Sequence, residues 1–288
     1  LREARRAEGL AHRAGHAGAA VSAAASPAVP EAAPAADGAV LRCEGVSRLF
    51  GGIAALTDVD FTVHRDEIVA LVGPNGSGKT TLVNAITGFF PPQQGRIMFD
   101  GADITGLRPH RVAQRGIART FQNLALFRGM SVLDNILLGR HIHMRPGALS
   151  TACYWWWARR AEVVHRRVVE EIIDFMQLAP VRHEPVEILP LGLQKAVELA
   201  RALVAEPKLL ILDEPMTGMN QEEKEYMARF ILDAHAERRL PVLLIEHHLD
   251  VVIGISNRIT VLSHGQKIAE GVPREVVTDP TVVLAYLG

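Results

Sequence analysis

Residues 67–87 read EIVALVGPNGSGKTTLVNAIT: an apolar run, a loop with three glycines, and an amphipathic helix beginning near Lys79. Gly73-Pro74-Asn75-Gly76-Ser77-Gly78-Lys79-Thr80 matches the phosphate-loop pattern G-x-x-x-x-G-K-[ST] at every fixed position. Glycines admit dihedrals that a Cβ forbids, so the N–H groups of such a loop can converge on a phosphate. The helix N-terminus behind the loop adds partial positive charge and unpaired donors. Lys79 is then placed to reach the β- and γ-phosphates, Thr80 to ligate Mg²⁺, and Thr81 to touch the α-phosphate. A glycine-rich surface turn would match these letters only by chance, and the flanking strand and helix argue against it. The stretch specifies a nucleoside triphosphate and leaves open what its hydrolysis drives.

A second stretch, LLILDEP at residues 209–215, runs four apolar residues into Asp213. That is a buried strand delivering a carboxylate at its C-terminal end, where open α/β sheets bind ligands. Asp213 is a candidate Mg²⁺ residue acting through water. Glu214 is a candidate general base for an attacking water, a role worth on the order of 10²–10⁴-fold. A helix-capping acidic pair is the plainer reading, and the phosphate loop upstream weakens it.

The bulk properties set bounds. The 288 residues are enough for one large domain or two small ones, and 48% apolar with 22% charged residues is ordinary for a globular chain. A formal net charge of −1 gives no reason to expect nucleic acid as a partner. Cys43 and Cys153 lie far apart in sequence and make no metal or disulfide spacing. No stretch of the sequence approaches the ~20 apolar residues that cross a bilayer, so a membrane role would run through a partner or a segment outside this chain.

Residues 1–39 are rich in Ala, Ser and Pro, with a charged opening, and read as a disordered tail or linker. Secretory and transit readings fit poorly, since the apolar core is weak and Glu3 and Glu8 sit among arginines. From Val40 strands and helices alternate, which implies an α/β core with a largely parallel sheet. Residues 123–190 are expected to form an inserted helical subdomain. Ser131 is a candidate N-cap. A long helix is expected from Tyr154 to Leu178, its apolar stripe made of Val163, Val164, Val168, Ile172, Phe175 and Met176. RITVLSHGQKIAEG reads as a hairpin closing on His264-Gly265.

Together these motifs resemble the ATP-binding cassette (ABC) ATPases over residues 40–288. The resemblance implies a P-loop NTPase core with an antiparallel β subdomain and the helical insertion, binding ATP and Mg²⁺. It also implies roles residue by residue. Phe50 falls where an aromatic stacks on adenine. Gln122 falls at the Q-loop, beside Mg²⁺ and the attacking water. His247 matches the switch histidine, and Asn220 the D-loop. LPLGLQK, residues 189–195, matches the signature loop, in which Gly192 and Leu193 would face the ATP of a second subunit. This loop departs from the common LSGGQ form: Pro190 replaces Ser and removes a hydroxyl and an amide donor, Leu191 replaces the first Gly, and Leu193 replaces Gln. His248 stands where Asp often follows the switch histidine.

Plainer readings stand beside some of these. Phe50 alone could be core and Gln122 any loop amide. His247-His248 and the pair His141 and His143 lack a third ligand for a metal site. Tyr154-Trp155-Trp156-Trp157 fits a packed helical core better than a docking face.

The LPxGLQ signature, FQNLALFRGMSVLDNILLGRH, DEPMTGMN and the ending AYLG resemble ATPase subunits of branched-chain amino acid importers. Implied partners are a second ATPase subunit, transmembrane permease subunits and, indirectly, a substrate-binding protein, at the cytoplasmic face of the bacterial inner membrane. A regulatory module with little hydrolysis, motivated by the altered signature, is the rival. A soluble cassette acting on DNA or ribosomes would need a coiled coil, a second cassette or a basic surplus.

Overall fold

In the computed structural model, the structure describes residues 38–121, 124–143, 154–247 and 249–287. The expected tail thus lies almost wholly outside the described residues. Strands β1 (Ala39–Phe50) and β2 (Ile53–His64) form a hairpin. Its tip is Gly51-Gly52, and both glycines have positive φ, which two-residue hairpin turns demand. Next come β3 (Ile68–Val72), buried at all five positions, and α1 (Lys79–Ile86). A second hairpin, β4 (Gln94–Phe99) with β5 (Ala102–Asp103), precedes α2 (Pro109–Gln114) and β6 (Ile117–Arg119). The helical stretch holds α3 (Val132–Leu138) and α4 (Tyr154–Phe175) and leads into α5 (Leu191–Leu203). Then follow β7 (Leu209–Asp213), α6 (Gln221–Arg238), β8 (Val242–Ile245), α7 (Leu249–Ile255), β9 (Arg258–Ser263), β10 (Gln266–Gly271), α8 (Pro273–Val276) and α9 (Pro280–Leu287).

Two sheets result. A six-stranded sheet has the order β10-β9-β3-β8-β7-β6, parallel throughout except for β10. A four-stranded antiparallel sheet has the order β2-β1-β4-β5. The central strands are buried on both faces, and their side chains alternate between two cores. Val69, Leu71, Ile211 and Leu243 pack with α1 and the antiparallel sheet. Ile68, Leu210, Leu212 and Leu244 pack with α3, α4, α5 and α6. The helices of the expected insertion therefore share one core with the sheet.

Most expected elements stand where the sequence places them. The His264-Gly265 turn has positive φ at both residues. Ser131 caps α3 by accepting from the Asp134 amide at 3.1 Å. The buried stripe of α4 differs from the expected one. Val169, Ile172, Ile173 and Met176 are the buried positions, with Val168 and Phe175 at the margin. These follow i, i+3, i+4, i+7 spacing, and two β-branched pairs in a row leave the sequence alone unable to choose the phase. Side chains of residues 154–164, with Val163, Val164 and the tryptophans, lie outside the described ones. β5 is only two residues long, and α7, whose LDVVIGI is rich in β-branched residues, has no strong helical signal.

Candidate functional site

The phosphate loop leaves the C-terminal end of β3 and returns as α1. Gly73 has φ +149, and a Cβ there would stand 2.1 Å from the Leu262 carbonyl oxygen, so only glycine fits. Gly78 has φ +106, and its Cβ would stand 2.6 Å from the Ala55 carbonyl oxygen. Neighbouring strands thus press the loop into shape. Lys79 folds back over it, donating from Nζ to the carbonyls of Gly73 at 2.7 Å and Pro74 at 2.9 Å. Burial pulls the Lys79 pKa down, and the charges of Glu214 and Asp213 oppose that shift. Pro74, Asn75 and Gly76 form the loop's outer arc, Ser77 is buried, Thr80 is exposed at the start of α1, and Thr81 is half-buried.

Asp213 closes β7 and is buried. Its carboxylate accepts from Arg119 at 2.8 Å. Glu214 has φ +51, an uncommon conformation for a non-glycine residue that costs on the order of 1 kcal/mol. Several bonds hold it there, among them three with separate neighbours. Its amide donates to the Ile245 carbonyl at 2.9 Å, its carbonyl accepts from Lys195 at 3.1 Å, and its carboxylate accepts from Thr217 at 3.3 Å. His247 follows β8, with Nδ1 3.9 Å from Glu214 Oε1. The Lys79 loop, Asp213, Glu214 and His247 therefore stand at the C-terminal ends of adjacent parallel strands β3, β7 and β8. Gln122 and His248 lie outside the described residues.

Phe50 ends β1 with its ring partly exposed, edge-on to Phe90 at 5.5 Å, and the Arg48 guanidinium sits 4.9 Å above it. Gly192 lies in the first turn of α5, where a Cβ would stand 2.6 Å from Glu223 Oε1. Asn220 and Glu223 form a reciprocal capping box at the start of α6. Pro190 is the N-cap of α5, a position outside the helix's own N–H donors. Leu193, half-buried in the first turn of α5 beside Gly192, packs partly against the core beneath that helix. His141 and His143 each bond a backbone carbonyl, of Leu138 and Ala205 respectively.

Several residues organise the site in roles that the motifs do not assign. Lys195, buried on the signature helix, grips Glu214. Burial lowers its pKa. Glu246 is fully buried, accepts from the Met216 amide at 2.9 Å and links the β8 end to the loop after β7. Arg119 ties β6 to Asp213. Only their place at the ends of apolar strands, or one turn into the signature helix, hints at these roles.

Thr80 and Asp213 offer hard oxygen donors. One hydroxyl and one carboxylate suit Mg²⁺, which keeps waters and phosphate oxygens in its shell. Among the described residues no group of three or more His, Cys, Asp or Glu forms a metal cage.

Beside this site, the turn after α1 together with α2 and β6 on one side, and α3 and α5 on the other, flank a groove of about 670 Å³. Phe89, Val112, Phe121, Phe127 and Leu138 line it, with Arg201 at its wall.

A phosphate loop and an acidic pair on parallel strands, flanked by an antiparallel sheet and a helical layer, define a nucleotide-hydrolysing cassette. The ABC transporter family model matches residues 56–217, and a branched-chain amino acid ATP-binding cassette transporter model matches residues 266–288. The chain is 35% identical to the high-affinity branched-chain amino acid transport ATP-binding protein BraF of Pseudomonas aeruginosa over 249 residues, covering 86% of this chain and 98% of that protein. The same figures hold for LivG, of the same description, in Escherichia coli K12. A nucleotide-free ATP-binding cassette from an ABC transporter matches with TM-score 0.76 and 33% identity, covering 87% of this chain and 99% of that one. A cassette in its ADP conformation matches with TM-score 0.75. The chain belongs to the ABC transporter family, as one of its ATP-binding, ATP-hydrolysing cassettes.

Proposed function

We propose that the chain is the ATPase subunit of an importer for branched-chain or other hydrophobic amino acids, working at the cytoplasmic face of a bacterial inner membrane. The observation that carries the chemistry is the convergence of Lys79, Asp213, Glu214 and His247 at one edge of the sheet. The kinship with BraF and LivG over nearly their full length supports the substrate class.

ATP binding draws Lys79 from the Gly73 and Pro74 carbonyls to the β- and γ-phosphates, while the loop from Gly73 to Thr81 cradles the chain of phosphates with its backbone N–H groups, Pro74 having none. Phe50 offers its free face to adenine. Thr80 and, through water, Asp213 would hold Mg²⁺, which would supply charge neutralisation on the triphosphate; Gln122 is the further residue proposed beside it. Water attacks the γ-phosphorus as Glu214 takes its proton, and the bond to the β-phosphate oxygen breaks. His247, close to Glu214, orients the γ-phosphate. Gly192 and the α5 N-terminus face outward, so the site is completed by the signature loop of a second ATPase subunit.

Among the described residues no helix is long and apolar enough to cross a membrane. Transport then requires permease subunits, and the aromatic groove beside Phe121 is the surface proposed to dock them. A substrate-binding protein would act through those permeases. Co-purification of the chain with the membrane subunits, followed by an ATPase scan across amino acids and their binding proteins, tests the reading. Stimulation by branched-chain or other hydrophobic amino acids is the expected result; no response to any of them would refute importer function.

A further inference from the structure

Arg119 is the last residue of β6, next to β7 in the sheet, and its side chain is only 10% exposed. Its guanidinium stands between two environments. Toward the nucleotide side, Nη2 donates to Asp213 Oδ2 at 2.8 Å. Nη1 donates to Asn84 Oδ1 at 2.7 Å and Thr87 Oγ1 at 3.3 Å, both on or just past the helix that Lys79 begins. Toward the groove, the same cation lies 5.3 Å from the Phe121 ring centroid and 5.9 Å from that of Phe89. The two rings meet edge to face at 6.2 Å. They are 41% and 47% exposed. Nε is buried and has no hydrogen-bond partner among the described residues.

A cation held over aromatic rings responds to water. Its attraction to exposed rings is weak and grows roughly two-fold or more once water is excluded. The bond to Asp213 is already largely buried and changes less on such a change than the contacts with the exposed rings. Covering Phe89 and Phe121 therefore shifts the balance on Arg119 toward the rings. The unpartnered Nε leaves one of the three guanidinium nitrogens without an anchor against that shift. Asp213 is the carboxylate proposed above for Mg²⁺, and a carboxylate engaged by Arg119 is a poorer acceptor for metal-bound water.

We propose that Arg119 is a positioning residue that restrains Asp213 in the free chain and relaxes that restraint when a membrane partner fills the groove. The inference rests on the docking role given to the groove. It assigns to a residue outside the nucleotide motifs a direct link between partner contact and the metal site.

The test is Mn²⁺ binding, read by electron paramagnetic resonance with a non-hydrolysable ATP analogue, on the full chain alone and in complex with the permease subunits. In the free chain, Arg119→Gln should bind Mn²⁺ about 3–10-fold tighter than wild type, because the restraint on Asp213 is gone. Wild type should tighten by a similar factor on joining the permease, and Arg119→Gln should not. Arg119→Lys keeps a point charge near Asp213 but loses the flat face that stacks on the rings. It should bind Mn²⁺ as wild type does when free and fail to tighten in the complex, which keeps the idea testable if the glutamine variant folds poorly. Unchanged or weaker Mn²⁺ binding by free Arg119→Gln overturns the restraint. Wild type that assembles with the permease without tightening Mn²⁺ overturns the link. Normal assembly by the double variant Phe89→Asp, Phe121→Asp would instead remove the groove as the docking site, a distinguishable failure.

Discussion

Replacing Glu214 by Gln removes the proton acceptor while keeping the backbone contacts that hold residue 214. The amide has the shape of the carboxylate, and its oxygen keeps the bond from Thr217, which spans 3.3 Å in the native chain. The bonds from the Glu214 amide to Ile245 and from Lys195 to its carbonyl involve only backbone of residue 214, so the left-handed turn stays held. Folding stability should change by less than about 0.5 kcal/mol, as for a substitution that empties no core and breaks no backbone bond. What is lost is a base beside the attacking water. General bases contribute roughly 10²–10⁴-fold, or about 2.7–5.5 kcal/mol of barrier at 1.36 kcal/mol per decade. The Gln side chain also removes a negative charge that Lys79 senses, and that negative charge also opposes an incoming triphosphate.

Single-turnover hydrolysis of γ-labelled ATP, with the chain in excess, isolates the chemical step from product release. The rate should fall by at least a hundredfold while ATP binding stays equal or tightens, and an ATP-bound dimer should accumulate on a sizing column. A Gln variant that binds ATP and hydrolyses it within about threefold of wild type would refute Glu214 as the base. A variant that loses binding as well would show that the carboxylate shapes the phosphate loop, contrary to the bonds described.

Three further outcomes follow from single contacts. Gly73→Ala forces a Cβ to 2.1 Å from a backbone oxygen of β9, so it should cost roughly 2 kcal/mol or more and abolish ATP binding; a melting temperature and nucleotide affinity within error of wild type would contradict this. The Tyr286 hydroxyl is buried near the Gly73 backbone of the phosphate loop without a well-formed hydrogen bond, so Tyr286→Phe should change stability by less than about 1 kcal/mol in urea unfolding, and a larger loss would mean that the hydroxyl is fully satisfied. Burial raises the Glu198 pKa above its ordinary 4.5, so the folded chain holds this proton more tightly than the unfolded one. That contribution is fully present below the unfolded value and is lost as pH rises through the folded one. Glu198→Gln should therefore gain stability relative to wild type across the window above pH 4.5, and parallel pH profiles for the two proteins would rule it out.

The phosphate loop is legible because backbone geometry dictates its letters: no other residue fits where strands β2 and β9 crowd Gly73 and Gly78. Asp213 and Glu214 are legible because an apolar strand announces where its last side chains emerge. The His264-Gly265 hairpin is legible from its turn residues alone. Arg119, Lys195 and Glu246 are not. Their partners lie 94, 19 and 30 residues away, and locally each looks like an ordinary charge at the end of a strand or on a helix. The phase of α4 is hidden for a related reason. Val168 and Val169 are chemically alike, and only the neighbouring helices decide which one faces the core.

Those non-local contacts also explain why the altered signature loop need not imply an idle cassette. Leu191, in place of glycine, rests near Gly218, whose added Cβ would stand 3.0 Å from Leu191 Cδ2. Glu223 of the α6 capping box packs against Gly192, and Lys195, one turn along α5, holds the Glu214 carbonyl. The loop that faces outward is therefore fastened to the strand end that carries Glu214, the proposed base. Pro190 sits at the N-cap, where its missing N–H breaks no helical bond, so the α5 N-terminus keeps its dipole and its free amides. Substitution has removed the serine hydroxyl and the glutamine side chain while leaving the helix end and its connection to Glu214 in place. A displacement of α5 by a second subunit would pull on Lys195 and so on a residue already held at positive φ. On the proposed reading, partner contact at the signature loop and hydrolysis at the chain's own phosphate loop would be joined through the Lys195 contact to the Glu214 carbonyl.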